Sequence, residues 1–315
     1  MAIISPSGPV PPERVEGAIA ALRQWGYEPV VGQHALCQCR QWGAVQTAGT
    51  DDERFADLLW AITDVSIKAI WCSRGGYGAV RLLERIDRNL IWQHRKWLIG
   101  FSDICALHAL WSHGGVMSLH APMAKHLSEH GIEGEVSEAI HTALSTRKTP
   151  VYHVPPHELN RSGAAFGKLV GGNLAVLTAL LKSDFDVMRK SKSKTRDILF
   201  IEDVGEEIYR VERMMHQLRL AGILPSLKGL IVGQFTRYHL GGQLTSTATD
   251  TQQQLYRMIA HMVEPYDYPV AFGFPAGHVD RNLPLILGAP TGLQVTSAGT
   301  TVAPVQPSHM PPTYE

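Results

Sequence analysis

The sequence contains no apolar run near the roughly 20 residues that cross a bilayer, so no stretch of it reads as a membrane helix. It opens Met-Ala-Ile-Ile-Ser-Pro-Ser-Gly, with no basic lead and no long apolar segment behind it. That beginning reads as a first strand rather than a secretory signal, and the expected location is the cytosol. There is no excess charge of either sign: 29 Lys and Arg balance 29 Asp and Glu, for a formal net charge of +0. Without a broad basic field, nucleic acid is not expected as the main partner. Cysteine is sparse. Of the four (Cys37, Cys39, Cys72, Cys105), the first two could suggest a metal clip, but no second Cys/His pair follows at zinc spacing. The 15 histidines are scattered and include no His-Glu-x-x-His element, so a metallohydrolase is not indicated. The thiols read as reduced, small hydrophobes.

What the sequence does have is core material. Hydrophobic residues make up 44% of 315 and charged residues 18%, enough for two domains. In the first half, strand and helix patterns alternate. Residues 2–5 form an apolar run ending in Pro6-Ser7-Gly8. Val15, Ile19, Leu22 and Trp25 fall at helical spacing, with Gly26 as a C-cap. Residues 28–31 read as a second strand. Thr50 or Asp51 can cap a helix bearing Phe55, Leu58, Leu59 and Ile62. The apolar run 67–72 breaks into Arg74-Gly75-Gly76-Tyr77-Gly78, and the run 97–101 leads directly into a helix over 103–113. This alternation predicts an α/β parallel sheet over 1–143, covered by helices on both faces. Residues 144–167, with Pro150, Pro155, Pro156 and Gly163, read as a linker. The span 168–303 reads as a smaller, β-rich domain of α+β or barrel-like type. Its strand candidates are 197–202, 230–235, 270–272, 283–287 and 293–296, with a solvated basic loop at 189–196. The proline-rich tail 304–315 is expected to be poorly ordered.

Four segments could carry chemistry. In Gly100-Phe101-Ser102-Asp103-Ile104 a buried strand ends in a serine where a helix begins. In α/β sheets ligands sit beyond the carboxyl ends of the strands. The free N–H groups and positive dipole end of a helix there would stabilise an oxyanion. The placement is like a nucleophile elbow without its Gly-x-Ser-x-Gly form. Ser102 is therefore either a nucleophile or simply a helix cap, and Ser5, Ser7 and Ser73 near other strand ends are its rivals. The turn Arg74 to Gly78 either needs positive φ for tightness or offers the Gly76 amide to an oxyanion. It lacks the Walker lysine and the Rossmann spacing. The run 197–203 ends in two acids. Alternation puts Glu202 on the face of Ile198 and Phe200, where a carboxylate needs a partner such as a histidine; otherwise both acids face water. Gly273-Phe274-Pro275-Ala276-Gly277-His278 ends a Gly/Pro turn in an imidazole, the proton acceptor that a serine requires.

Six segments together resemble the LD-carboxypeptidase family of serine peptidases, the muramoyltetrapeptide carboxypeptidases. They are Ser73-Arg74-Gly75-Gly76-Tyr77-Gly78-Ala79 with Arg81-Leu82-Leu83; Gly100 to Ile104; Leu169-Val170-Gly171-Gly172-Asn173-Leu174; Leu199 to Glu202; Tyr209-Arg210-Val211-Glu212-Arg213-Met214; and Gly277-His278. They occur in the family's order, and that favours the functional readings over the bland ones. The resemblance implies Ser102 as nucleophile, Glu202 as carboxylate, His278 as base, and the amides of Asp103 and Gly76 as oxyanion donors. It implies a flavodoxin-like N-terminal domain related to class I amidotransferases, a β-rich C-terminal domain supplying Glu202 and His278, and a homodimer. The implied reaction is release of the terminal D-alanine from a murein tetrapeptide at an L,D bond, in peptidoglycan recycling. The serine chemistry that the resemblance implies needs no metal or organic cofactor. Arg74 is a candidate for the substrate carboxylate, and Asn173 for lining the same cleft. A related branch cleaves peptidyl-nucleotides and gives immunity to microcin C. The segment 237–249 has Tyr238 as its only Phe, Tyr or Trp, which tilts the expectation towards the murein peptide. A non-catalytic cleft-binding protein, or an enzyme using Cys72 or Cys105, are the remaining alternatives.

Overall fold

In the computed structural model of the chain, the buried runs of the first half assemble into one six-stranded sheet. The structure describes residues 1–41, 45–145, 149–188, 197–240, 243–245 and 249–304. Across the sheet the strands run Val30–Val31, Ala2–Ile4, Ala69–Cys72, Trp97–Gly100, Ser118–His120 and Leu285–Leu287. The first five are mutually parallel. Among these five the order is second, first, third, fourth, fifth, which is the flavodoxin-like doubly wound arrangement. Ala2–Ile4 and Ala69–Cys72 are buried along their whole length, as strands covered on both faces are.

The helices around this sheet start and stop on local chemistry. The helix Asp51–Thr63 opens with a capping box: the Glu53 amide donates to Thr50 Oγ1 at 3.2 Å while the Thr50 amide donates to Glu53 Oε2 at 2.7 Å. It buries Leu58, Ala61 and Ile62, and also Arg54. The helix Pro12–Gln24 begins on proline, whose missing N–H costs nothing in the first turn, and is followed by Gly26 at φ 81°.

The second sheet has seven strands in the order Val270–Ala271, Gly229–Thr236, Ile198–Val204, Gly163–Asn173, Pro290–Thr296, Gly299–Pro304 and Tyr152–Val154. Its first four strands are parallel and its last four antiparallel, with Gly163–Asn173 common to both halves. Close approach of the central strands depends on glycine. A Cβ on Gly171, at φ 139°, would lie 1.9 Å from the Phe200 carbonyl oxygen.

The chain forms two units: one of Met1–Arg147, Lys182–Val187 and Asn282–Leu287, the other of Lys148–Leu181, Met188–Arg281 and Gly288–Glu315. Two expectations differ from this. The stretch expected to be a linker, 144–167, holds the strand Tyr152–Val154 and the start of Gly163–Asn173. Its prolines and glycine bracket these strands rather than interrupt them. The apolar run 283–287, expected in the C-terminal domain, instead supplies Leu285–Leu287 to the first sheet, antiparallel to Ser118–His120. A three-residue apolar run carries no local mark of the sheet it will join. The basic loop at 189–196 and the tail beyond 304 lie outside the described residues. Among the described residues no helix is long and apolar enough to cross a membrane.

Candidate active site

Ser102 stands where the Trp97–Gly100 strand gives way to a short 3-10 turn, Ser102–Ile104, and the helix Cys105–His113. Its φ is 65°, in the left-handed region that side chains other than Asn and Asp seldom enter. The residue in the cap position is Phe101, and no side chain caps the turn. Ser102 thus does not stand at the cap position of either segment. It is a strained residue at a strand-to-helix turn, the geometry that lifts a serine hydroxyl above a sheet in nucleophile elbows.

The glycine-rich turn comes close against it. A Cβ on Gly75 would sit 2.8 Å from Ser102 Cβ and 2.9 Å from its Oγ, so only glycine allows this approach. Gly76, at φ 128°, and Gly78, at φ 116°, turn the chain sharply on either side of the exposed Tyr77. Arg74 is exposed and donates from Nη1 to the Pro9 carbonyl at 2.8 Å.

The rival nucleophiles are occupied and buried. Ser5 Oγ lies 2.6 Å from Ser73 Oγ and donates to the Ala35 carbonyl, and Ser7 Oγ donates to Asp103 Oδ2 at 2.5 Å. All three are at most 3% exposed, whereas Ser102 is only half-buried. The cysteine alternatives fare no better. Cys72 and Cys105 are buried, and burial pushes the Cys72 thiol well above its ordinary range, away from the reactive thiolate.

In the other unit, the strand Ile198–Val204 ends in two carboxylates, and both are buried. The alternative in which both acids face water is therefore set aside. A register shift between Ile201 and Asp203 against the Gly229–Thr236 strand accompanies this, the local irregularity that often re-aims side chains at sites. Glu202, fully buried, accepts from His278 Nδ1 at 2.8 Å. With that nitrogen carrying the proton, Nε2 is in its acceptor form, the tautomer a general base needs. Burial by itself lowers the His278 pKa. Glu202, through charge and hydrogen bond, and Asp203 outweigh it, and the net shift is upward despite the opposing charge of Arg237.

The turn bearing His278 is fastened to the end of the Gly229–Thr236 strand. The Gln234 amide donates to the Ala276 carbonyl at 2.9 Å, and its side chain donates to the carbonyls of Gly273 and Phe274. Gly277 is at φ 126°, and a Cβ there would come within 3.0 Å of the Glu202 carboxylate. Asp203 accepts from the Asn173 side chain and from the amides of Ala175 and Val204, at 2.8–2.9 Å. Burial first, then the neighbouring Glu202 charge, raise its pKa to about 7. Asn173 also caps the helix Leu174–Ala179, accepting from Val176 N, so both its amide atoms serve the interior of this unit. Sequence reasoning misses Gln234, whose role needs knowledge of which turn lies beside its strand, and misses Asp203 as an organiser.

The sequence matches the N-terminal domain of the LD-carboxypeptidase family over residues 1–121 and its C-terminal domain over residues 166–293. The chain belongs to the LD-carboxypeptidase family. This family is one of serine-type carboxypeptidases, and the matched spans contain Ser102 on one side and Glu202 with His278 on the other. A Bacillus subtilis protein named "Probable murein peptide carboxypeptidase" is 30% identical over 91% of this chain and 86% of its own length. The crystal structure of muramoyltetrapeptide carboxypeptidase from Oxalobacter formigenes superposes with a TM-score of 0.81 at 26% identity, covering 97% of this chain and 98% of that one. The microcin C7 self-immunity protein of Escherichia coli is 24% identical over 76% of this chain and 75% of its own length. This LD-carboxypeptidase therefore aligns with both proteins over most of its length.

Proposed function

We propose that the chain removes the terminal D-alanine from murein tetrapeptides, cutting the L,D amide through Ser102, His278 and Glu202. Two observations, one in each unit, support the reading: a strained, half-buried serine at a strand-to-helix turn, and a histidine already oriented by a buried carboxylate. Ser102 Oγ attacks the scissile carbonyl, and its proton passes to His278 Nε2. Glu202 holds the imidazole's tautomer and stabilises the imidazolium. The amides of Asp103 and Gly76 bind the oxyanion. Collapse of the tetrahedral intermediate expels D-alanine as its amine takes the proton from His278, leaving an acyl-enzyme. Water then attacks the acyl carbon as His278 accepts its proton, the acyl–Oγ bond breaks with that proton returned to Ser102 Oγ, and the shortened peptide departs.

Arg74 is the proposed contact for the carboxylate of the departing residue. Asn173, expected to line the cleft, is given an organising role here, because its amide is engaged with Asp203 and the helix end. Release of D-alanine from murein fragments fits peptidoglycan recycling, with the enzyme in the cytoplasm and acting as a homodimer. The names of the relatives support the murein substrate. The self-immunity relative keeps a second reading in view, hydrolysis of a peptidyl- or aminoacyl-nucleotide.

Mass spectrometry of the purified protein with a muropeptide tetrapeptide tests both. Loss of one alanine that vanishes in Ser102→Ala is the expected result. An intact tetrapeptide, together with hydrolysis of an aminoacyl-adenylate mimic, would replace the first reading by the second. Tight binding of the peptide with no turnover of either compound would make the protein a binder.

A further inference from the structure

The Asp103 carboxylate has work to do beyond its place after the nucleophile. It is buried, and its Oδ2 accepts from Ser7 Oγ at 2.5 Å and from the Ala79 amide at 2.9 Å. These two donors belong to different loops: Ser7 follows the Ala2–Ile4 strand, and Ala79 closes the glycine-rich turn after Ala69–Cys72. Arg54, 1% exposed in the helix Asp51–Thr63, grips the same two loops one residue earlier in each. Its Nη1 donates to the Pro6 carbonyl and, at 2.9 Å, to the Gly78 carbonyl. Burial disfavours the Arg54 charge, and the carboxylates of Asp51 and Asp103 sustain it.

The two loops also touch each other directly. The Gly8 amide donates to the Gly75 carbonyl at 3.1 Å, and a Cβ on Gly76 would lie 3.1 Å from Gly8 Cα. One sheet-end network therefore runs from Arg54 through Pro6-Ser7-Gly8 and Gly75 to Ala79 into Asp103, and Asp103 is bonded covalently to Ser102. Ser5 with Ser73, and Arg74 with the Pro9 carbonyl, also join these loops through side chains, whereas Asp103 and Arg54 hold both loops from other elements.

We propose that Asp103 and Arg54 are positioning residues, a buried pair of opposite charge that clamps the first-strand loop and the glycine-rich turn against Ser102 and thereby sets the two oxyanion amides. The proposal rests on Ser102 being the nucleophile. If the clamp loosens, Gly75 and Gly76 drift relative to Ser102, and displacements near 1 Å in such geometry cost on the order of 100-fold in rate.

The test is the rate of covalent labelling by a fluorophosphonate, followed as the mass gain of the intact protein, so that no assumption about the natural substrate enters. Wild type is expected to label at Ser102, with Ser102→Ala inert. Asp103→Ala is expected to label about 10- to 100-fold more slowly. Asp103→Asn keeps an acceptor oxygen for Ser7 and Ala79 and is expected to recover most of that loss. With a peptide substrate, the same variants are expected to lose kcat with KM nearly unchanged. If Asp103→Ala fails to fold, Ser7→Ala, which removes one donor of the clamp, carries the test with an expected loss of about 3- to 10-fold. Wild-type labelling rates in Asp103→Ala or in Ser7→Ala overturn the clamp while leaving Ser102 in place. Labelling of wild type at a residue other than Ser102 overturns the nucleophile assignment, and the clamp with it.

Discussion

Ser102 and His278 reach their conformations by different means. Around Ser102 the holding elements are loops at the carboxyl ends of parallel strands, joined by hydrogen bonds that are mostly to backbone, and the serine itself sits at φ 65°. Around His278 the holding element is charge: a carboxylate with no exposure at the end of a strand, a second buried carboxylate beside it, and a turn fastened by Gln234. The first arrangement stores strain in the chain, and the second stores it in desolvation. The two sides should therefore fail differently. Relief of the backbone at Ser102 should cost rate while stabilising the fold. Loss on the histidine side should disturb rate, pH dependence and stability together.

The largest expected effect is at Ser102. Ser102→Ala should lower turnover by about 10,000-fold or more, with only the background hydrolysis remaining. Ser102→Gly should be equally inactive yet more stable than Ser102→Ala by up to about 1 kcal/mol, because glycine adopts positive φ without strain. Chemical denaturation of the two variants checks this, and equal midpoints would remove strain from the account of the serine side. Next comes Glu202→Gln, isosteric but unable to stabilise the imidazolium. Turnover should fall by about 1,000-fold, and the acid limb of the kcat/KM profile should move to lower pH as the His278 pKa drops. A fall in rate with an unmoved limb would mean that Glu202 acts only as a strut.

A smaller effect separates geometry from charge on the histidine side. Gly277→Ala keeps every carboxylate but forces a methyl group to within 3.0 Å of Glu202 and 3.1 Å of the Gln234 carbonyl, at a φ of 126°. A loss of about 1–3 kcal/mol in unfolding free energy is expected, with turnover reduced in parallel. An unchanged melting temperature would show that the turn moves freely and that its fastening by Gln234 is weak.

The serine side is the more legible of the two in sequence, and the reason is physical. Strand ends, glycines that need positive φ and the start of a helix are local features, so a parallel sheet and the turns at Ser102 and Gly76 follow from alternation and turn chemistry, while the flavodoxin-like order comes only with the family resemblance. What binds the loops together does not show, because Ser7, Arg54, Ala79 and Asp103 come from four separate elements. Arg54 in particular sits in a helix whose apolar spacing draws attention to Leu58 and Ile62 instead. On the other side, the period-two pattern of Ile198–Val204 places Glu202 inward, but the same pattern would send Asp203 outward. The register shift after Ile201 and the donors at Asn173, Ala175 and Val204 override it. The strand Leu285–Leu287 is legible as a strand and not as a member of the first sheet, since its antiparallel partner lies more than 160 residues away.

The smallest expected effect is on the pH dependence of stability, and it tests whether the histidine side is held by desolvated charge. Asp203 is raised to about 7 by burial and by Glu202, and His278 is raised by Glu202 and Asp203 against the pull of burial. For each, the folded state binds its proton more tightly than the unfolded chain, whose values lie near ~3.9 for Asp and ~6.5 for His. The folded state thus holds more protons, and the unfolding free energy falls as pH rises. The Asp203 contribution is complete below about pH 4 and is lost by about pH 7. The His278 contribution is complete below about pH 6.5 and is lost as pH rises through its higher folded-state value. Half-buried carboxylates such as Glu53 and Asp64, held below their ordinary values by hydrogen bonds, slope the other way, so the comparison must be between variants. Thermal melts of wild type and Asp203→Asn from pH 4 to pH 7 should converge or cross as pH rises, with the wild type losing stability relative to the variant. Parallel curves would mean that Asp203 keeps its charge in the fold, and the contrast between strained backbone and desolvated charge would then fail on the histidine side.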